Sequence, residues 1–178
     1  MVYVLDLNEG GKILKAISLP DGNPNNGIVN SAPAPVVAVT ADMTSLATYS
    51  GALVYTVDLE GQVWKINLSS SGTWGASQRL FDTEANTTNG RFVFHEPALA
   101  IGSESKLWLY FGTGRMDKLQ ETKGSENRMY GIRDKDFPAF SVSQSAFTVS
   151  SPDCTNVTSG TIACPPYPGK GWYRDLEP

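Results

Sequence analysis

The sequence predicts an all-β fold built from propeller-like repeats of antiparallel strands. Two observations carry that expectation. A hairpin pattern, VYVLDL followed by a glycine turn and KILK, returns about 50 residues later as VYTVDL, EG and QVWK, and a looser copy follows after a similar interval. No stretch holds the 3.6-residue apolar period of a long amphipathic helix, whereas short runs of β-branched and aromatic residues are frequent. The chain has 178 residues, with 17 Gly and 11 Pro to punctuate those runs.

Taken in order, Val2–Leu7 reads as a strand, and Gly10 and Gly11 supply the turn into its partner, residues 12–19, with Ile13 and Ile17 in phase. Residues 20–27, PDGNPNNG, are a loop, and residues 31–39 enter a third strand through prolines, which a strand tolerates at its start. The second hairpin is 52–59 with 62–68. In the repeat, Tyr3 matches Tyr55, Asp6 matches Asp58 and Lys15 matches Lys65. Residues 80–95 link to the third unit, with an outer strand expected at Arg91–Phe94. The third unit places EPALAIG as the proline-led strand, KLWLYFGTG as the counterpart of the VYTVDL strand and RMYGIRD as its partner, so that Tyr110 matches Tyr55. The blade-like units are approximately 1–30, 31–90 and 91–150, followed by a cysteine-containing loop and terminal strand at 151–178. Closed propellers need at least about four blades, so the sequence is expected to be part of a larger ring, with self-association through exposed blade edges as a consequence.

Composition narrows the function. Lys and Arg number 14 against 18 Asp and Glu, for a net charge of -4, which offers no concentrated positive field to a nucleic acid. No run approaches the eighteen or so apolar residues of a membrane-spanning helix. Catalytic material is sparse. His95 is the single histidine and reads as structural, and Phe111-Gly112-Thr113-Gly114-Arg115 lacks the spacing of a phosphate-binding loop. It reads instead as a chain reversal, with Arg115 able to pair with Asp117. The recurrence of Asp6 and Asp58 before glycine turns points to carboxylates that accept backbone N–H groups rather than to a unique active centre. Tyr55, Trp64, Trp108 and Tyr110 are expected in the core.

Calcium requires six to eight oxygens. Asp21, Asn23 and Asn25 alternate as such ligands do, but no bidentate acid closes the loop, and Asp42 stands alone in its segment, so these are weak candidates and no cofactor is expected. Cys154 and Cys164 lie in a polar stretch without apolar periodicity, which a disulfide would order; two free thiols are the alternative, and the bridge is the expectation.

The ordered elements resemble the C-terminal β-propeller of type IV pilus biogenesis and tip-adhesin proteins of the PilY1/PilC type. The resemblance runs through Tyr55, Asp58 and Leu59, then Gly61, Trp64, Lys65, Asn67 and Leu68. It continues through Phe111 to Arg115, then Tyr130, Gly131, Ile132 and Asp134, and ends at Gly171, Trp172 and Tyr173. It implies a non-enzymatic, exported protein of the cell surface or periplasm that supports pilus assembly, opposes retraction and contributes to attachment. Its implied partners are minor pilins or other tip components and a host or abiotic surface, and an oxidising compartment would suit the disulfide. The family's calcium loop precedes the Tyr55 element; here the stretch keeps Asp42 but has Thr44 and Leu46 in place of later acids, which weakens calcium control. Two other readings share the repeat: part of a quinoprotein-like dehydrogenase, and a general extracellular scaffold propeller.

Overall fold

The computed structural model describes residues 1–20, 25–40, 51–102, 106–116, 127–134, 136–140 and 171–176. The strands are β1 (Val2–Asp6), β2 (Lys12–Ile17), β3 (Val37–Thr40), β4 (Ala52–Val57), β5 (Gln62–Asn67), β6 (Ser77–Asp82), β7 (Ala98–Ile101), β8 (Leu107–Gly112), β9 (Arg128–Asp134) and β10 (Gly171–Asp175). They form a two-stranded ribbon, β1-β2, and two four-stranded sheets in the orders β3-β4-β5-β6 and β7-β8-β9-β10. All neighbours are antiparallel. Both larger sheets are therefore simple meanders in which each strand pairs with the next in sequence. The all-β expectation holds at this level. The described strands make three open sheets and do not close into a ring, so a closed propeller is not formed among the described residues.

Glycine placement explains the hairpins. Gly10 and Gly11 take φ of 68° and 87°, and the Gly11 N–H reaches the Asp6 carbonyl at 2.8 Å. In the second hairpin Gly61 takes φ of 71° and donates to the Asp58 carbonyl at 3.0 Å. Gly51 is constrained more tightly. At φ 117° a Cβ there would lie 2.0 Å from the Leu68 carbonyl oxygen, so only glycine lets the chain pass the turn that follows β5.

Burial shows how the sheets stack. Strand β4 is covered on both faces, as Leu53 through Val57 are all buried, whereas β8 alternates buried and half-buried positions. On one face of the middle sheet Leu53, Tyr55, Val57 and Val63 pack with Leu80 and Phe81 against Leu107, Leu109, Phe111, Tyr130 and Ile132 of the third sheet. Phe81 meets Tyr130 edge-on at 5.2 Å between centroids, and Phe111 stacks on Tyr130 at the same distance. On its other face Val54 and Ile66 receive Ile17, with Val2, Val4 and Leu19 beside them. The middle sheet is the shared layer.

Several expectations are corrected here. Arg91–Phe94 is not a strand; the Phe92 carbonyl instead accepts from Gly114 N at 2.9 Å, so this segment links to the third sheet. The outer strand of the second unit is β6, Ser77–Asp82, whose polar alternation hid it. Trp108 and Tyr110 are half-buried on the outer face of the third sheet rather than in the core, because their strand turns Leu107, Leu109 and Phe111 inward. The expected disulfide is withdrawn: no disulfide is found among the described residues, and Cys154 and Cys164 lie outside them. The terminal strand has non-covalent anchors. Five residue pairs align β10 with β9, Arg128 Nε meets Asp175 Oδ1 at 2.8 Å, and Tyr173 is buried.

Gly131 provides the test of this packing. A Cβ at that position would sit 2.4 Å from the Trp172 ring, so Gly131→Val is expected to lift Trp172 and cost about 1–3 kcal/mol. Chemical denaturation should show the lower midpoint, with tryptophan emission shifted to the red in the folded baseline; unchanged stability and emission would contradict the packing.

Candidate functional site

Tyr55 on β4 and Lys65 on β5 are directly opposed across the hairpin and face the third sheet, where β9 ends in Asp134. Lys65 Nζ lies 2.6 Å from Asp134 Oδ2, and their side chains are 1% and 0% exposed. The Tyr55 hydroxyl donates to the same oxygen at 2.7 Å. Asp134 Oδ1 accepts from Asp136 N at 3.1 Å, and Lys65 Nζ donates to the Ala139 carbonyl at 2.7 Å. The ammonium also lies 5.9 Å from the Phe140 ring centroid. Two charges removed from water are tolerable only with such pairing and hydrogen bonding. Burial, then the Asp134 charge, then the hydrogen bond to it push the Tyr55 phenol far above its ordinary range. The phenol therefore stays protonated and acts as a donor. This arrangement joins two sheets and the turn at 136–140; its reactive-looking groups are enclosed and mutually occupied.

A second polar cluster straps the 25–31 segment to the β4–β5 turn. Asp58 Oδ1 accepts from Gln62 N at 2.9 Å, and Oδ2 accepts from Trp64 Nε1 at 2.7 Å and Asn30 Nδ2 at 3.2 Å. Glu60 accepts from Asn26 at 2.7 Å and Asn30 at 3.2 Å, and the Leu59 N–H reaches the Ser31 carbonyl at 2.7 Å. A cleft of about 400 Å³ adjoins the cluster, lined by Asp58 and Asn30 with Met1, Leu19, Ile28 and Val29. Burial raises the Asp58 pKa above the usual aspartate range; the Trp64, Gln62 and Asn30 hydrogen bonds oppose the rise, and the Asp82 charge adds to it. Asp6 plays a simpler version of the same part, accepting from Asn8 N at 2.9 Å.

The other motif residues are also placed by packing. Thr113 N donates to the Arg128 carbonyl, and Arg128 N returns a bond to Thr113 Oγ1, each at 2.8 Å. Gly112 ends β8, Gly114 bonds Phe92, and the Arg115 guanidinium lies 5.3 Å from the Phe92 ring centroid. The reversal thus fixes the end of the β8–β9 hairpin; Asp117 lies outside the described residues. Tyr130 is buried in the intersheet core, Gly131 and Trp172 face each other across β9 and β10, and His95 is exposed. Of the calcium candidates, Asp21, Asn23 and Asp42 lie outside the described residues, and Asn25 is exposed. Among the described residues no three His, Cys, Asp or Glu side chains come together as a metal site. The sequence motifs contain Tyr55, Asp58, Trp64, Lys65 and Asp134 but give no sign that Tyr55 and Lys65 meet Asp134 or that Trp64 meets Asp58. The available signal was Lys65 itself, a lysine set between Trp64 and Ile66 in the middle of a strand.

Fold and site together define an all-β protein of stacked antiparallel sheets, with buried ion-pair and hydrogen-bond chemistry spent on joining one sheet to the next. Among known proteins, the chain is 29% identical over 147 residues to a type IV pilus biogenesis factor PilY1 homolog of Xylella fastidiosa, a match covering 70% of this chain and 10% of that protein. The relationship is distant, and the chain spans about a tenth of that protein's length. No known family's sequence profile matches the chain, and no solved structure matches it.

Two substitutions test the site. Lys65→Met leaves Asp134 charged and buried without its cation, and should cost about 3–5 kcal/mol by urea unfolding. Adding Asp134→Leu to it should restore much of the loss, because no isolated charge then remains; a double variant as unstable as the sum of the singles would contradict the pairing. Asp58→Asn should cost about 1–3 kcal/mol at neutral pH, since one amide oxygen cannot serve both Trp64 and Gln62. Folding raises the pKa of Asp58, so the native state holds its proton more tightly and this group's contribution declines as pH rises from about 3.9 towards the raised value. The variant should lack that decline when unfolding is followed across mildly acidic pH.

Proposed function

We propose that the chain is a non-enzymatic module of an exported type IV pilus biogenesis and tip-associated protein, supporting pilus assembly, countering retraction and contributing to surface attachment. The observation that carries this reading is the similarity to the PilY1 homolog along 70% of the chain. The architecture supports it. The two four-stranded meanders are units of the kind that a β-propeller repeats around a ring, and a wider array of such sheets would present rigid loops to other proteins. The conspicuous polar residues support it as well, because Tyr55, Lys65 and Asp134 bind one another rather than framing a substrate. Under this reading the partners are minor pilins or other tip components, together with a host or abiotic surface, and the location is the cell surface or periplasm. No helix among the described residues is long and apolar enough to cross a membrane.

Deletion of the parent gene, scored for surface pili and twitching motility, tests the reading. Loss of both is expected, with recovery on complementation; normal piliation and motility in the deletion strain would overturn it.

A further inference from the structure

Three asparagines stand two residues before a hydroxyl side chain, the pattern of an N-glycan acceptor: Asn67-Leu68-Ser69, Asn86-Thr87-Thr88 and Asn156-Val157-Thr158. The structure separates them. Asn67 is 0% exposed, and its side-chain nitrogen donates to the Ser71 carbonyl at 2.7 Å and the Thr73 carbonyl at 3.2 Å. Ser69, which would supply the hydroxyl, is buried too, so the folded chain withholds this site. Asn156 lies outside the described residues. Asn86 is placed differently. It sits in the turn that follows β6, an edge strand of the middle sheet, among exposed Glu84, Thr87 and Thr88. Buried Ala85 anchors that turn, and the Asn89 side chain donates to the Glu84 carbonyl at 2.8 Å. Asn86 Oδ1 accepts from Thr88 N at 2.8 Å and Asn89 N at 2.9 Å, which fixes the side chain. Its Nδ2 bonds no described residue and is not a buried atom, so it opens to solvent.

We propose that Asn86 is the acceptor for an N-linked oligosaccharide added by a bacterial-type oligosaccharyltransferase. Such an enzyme reads a carboxylate two residues before the asparagine as well as the hydroxyl two residues after it. Glu84 and Thr88 hold those two positions, whereas Lys65 precedes Asn67 and Cys154 precedes Asn156 at the same spacing. Both recognition side chains are exposed, beside the one acceptor nitrogen that the described structure leaves open. The donor is an oligosaccharide linked to a polyprenyl pyrophosphate. Asn86 Nδ2 attacks C1 of its first sugar, and the new N–C1 bond forms as the bond from C1 to the pyrophosphate oxygen breaks. The bonding pair leaves with the pyrophosphate, and one Nδ2 proton passes to a base of the transferase. A bulky hydrophilic group at this turn also blunts the open β6 edge against strand pairing by another chain. Transfer of this kind happens outside the cytoplasm, so for its setting the inference rests on the export in the proposed function.

Incubating the folded 178-residue chain with a purified bacterial oligosaccharyltransferase and its lipid-linked oligosaccharide tests the inference. No export is needed in that reaction, so its failure is distinct from failure of the gene-deletion test. Intact mass spectrometry should show one added oligosaccharide, and peptide mapping should place it on Asn86. Thr88→Ala and Glu84→Gln should each lose the increment. Thr88 enters the turn only through its N–H, so its variant keeps the fold, which circular dichroism checks. An unmodified native chain, an oligosaccharide mapped to another asparagine, or an increment that survives either substitution would each overturn the proposal.

Discussion

The structure depends on one buried contact, the Lys65 ammonium held between Asp134 Oδ2 and the Ala139 carbonyl while Tyr55 donates to the same carboxylate. It sits where the middle and third sheets meet. Apolar packing alone would draw those sheets together, because burial is non-directional, but it would leave their relative register loosely set. A carboxylate that must meet one lysine and one phenol defines where β9 lies against β4 and β5. The surrounding core, with Phe81, Phe111 and Tyr130 in contact, then excludes the water that would weaken the pair. Specificity of alignment, rather than bulk stability, is the role that a buried ion pair suits.

Asp58 and its neighbours repeat the logic at the next level down. There the carboxylate does not cross between sheets; it ties a turn to the tryptophan of its own hairpin and to an asparagine of the preceding segment. Buried polar groups in this molecule thus act at the joints between elements, where backbone hydrogen bonding runs out and direction is still needed.

Much of the architecture was legible in the sequence because hairpins announce themselves locally. Gly10, Gly11 and Gly61 mark reversals that only their backbone freedom permits, and the apolar runs on either side fix the strands. Strand β6 escaped notice because Ser77, Gln78 and Arg79 give it a polar start, and Arg91–Phe94 misled because an apolar run resembles a strand whether or not it finds a partner. The faces of the outer sheets were also hidden. Whether Trp108 or Leu109 points inward depends on which side the neighbouring sheet occupies, and period-two alternation carries no information about that choice. The ion pair was half visible: Lys65 was matched to Lys15 and Asp134 lay in a recognised motif, yet nothing local joins residues so far apart in the chain.

Native-state hydrogen exchange, comparing the amides of β4–β5 with those of β8–β9, tests the coupling of the two sheets most directly. If the buried contact makes them one unit, both hairpins should open with the same free energy in the native protein, and Asp134→Leu in the Lys65→Met background should let the two values separate. Two hairpins that already exchange with different free energies in the unaltered chain would contradict the account.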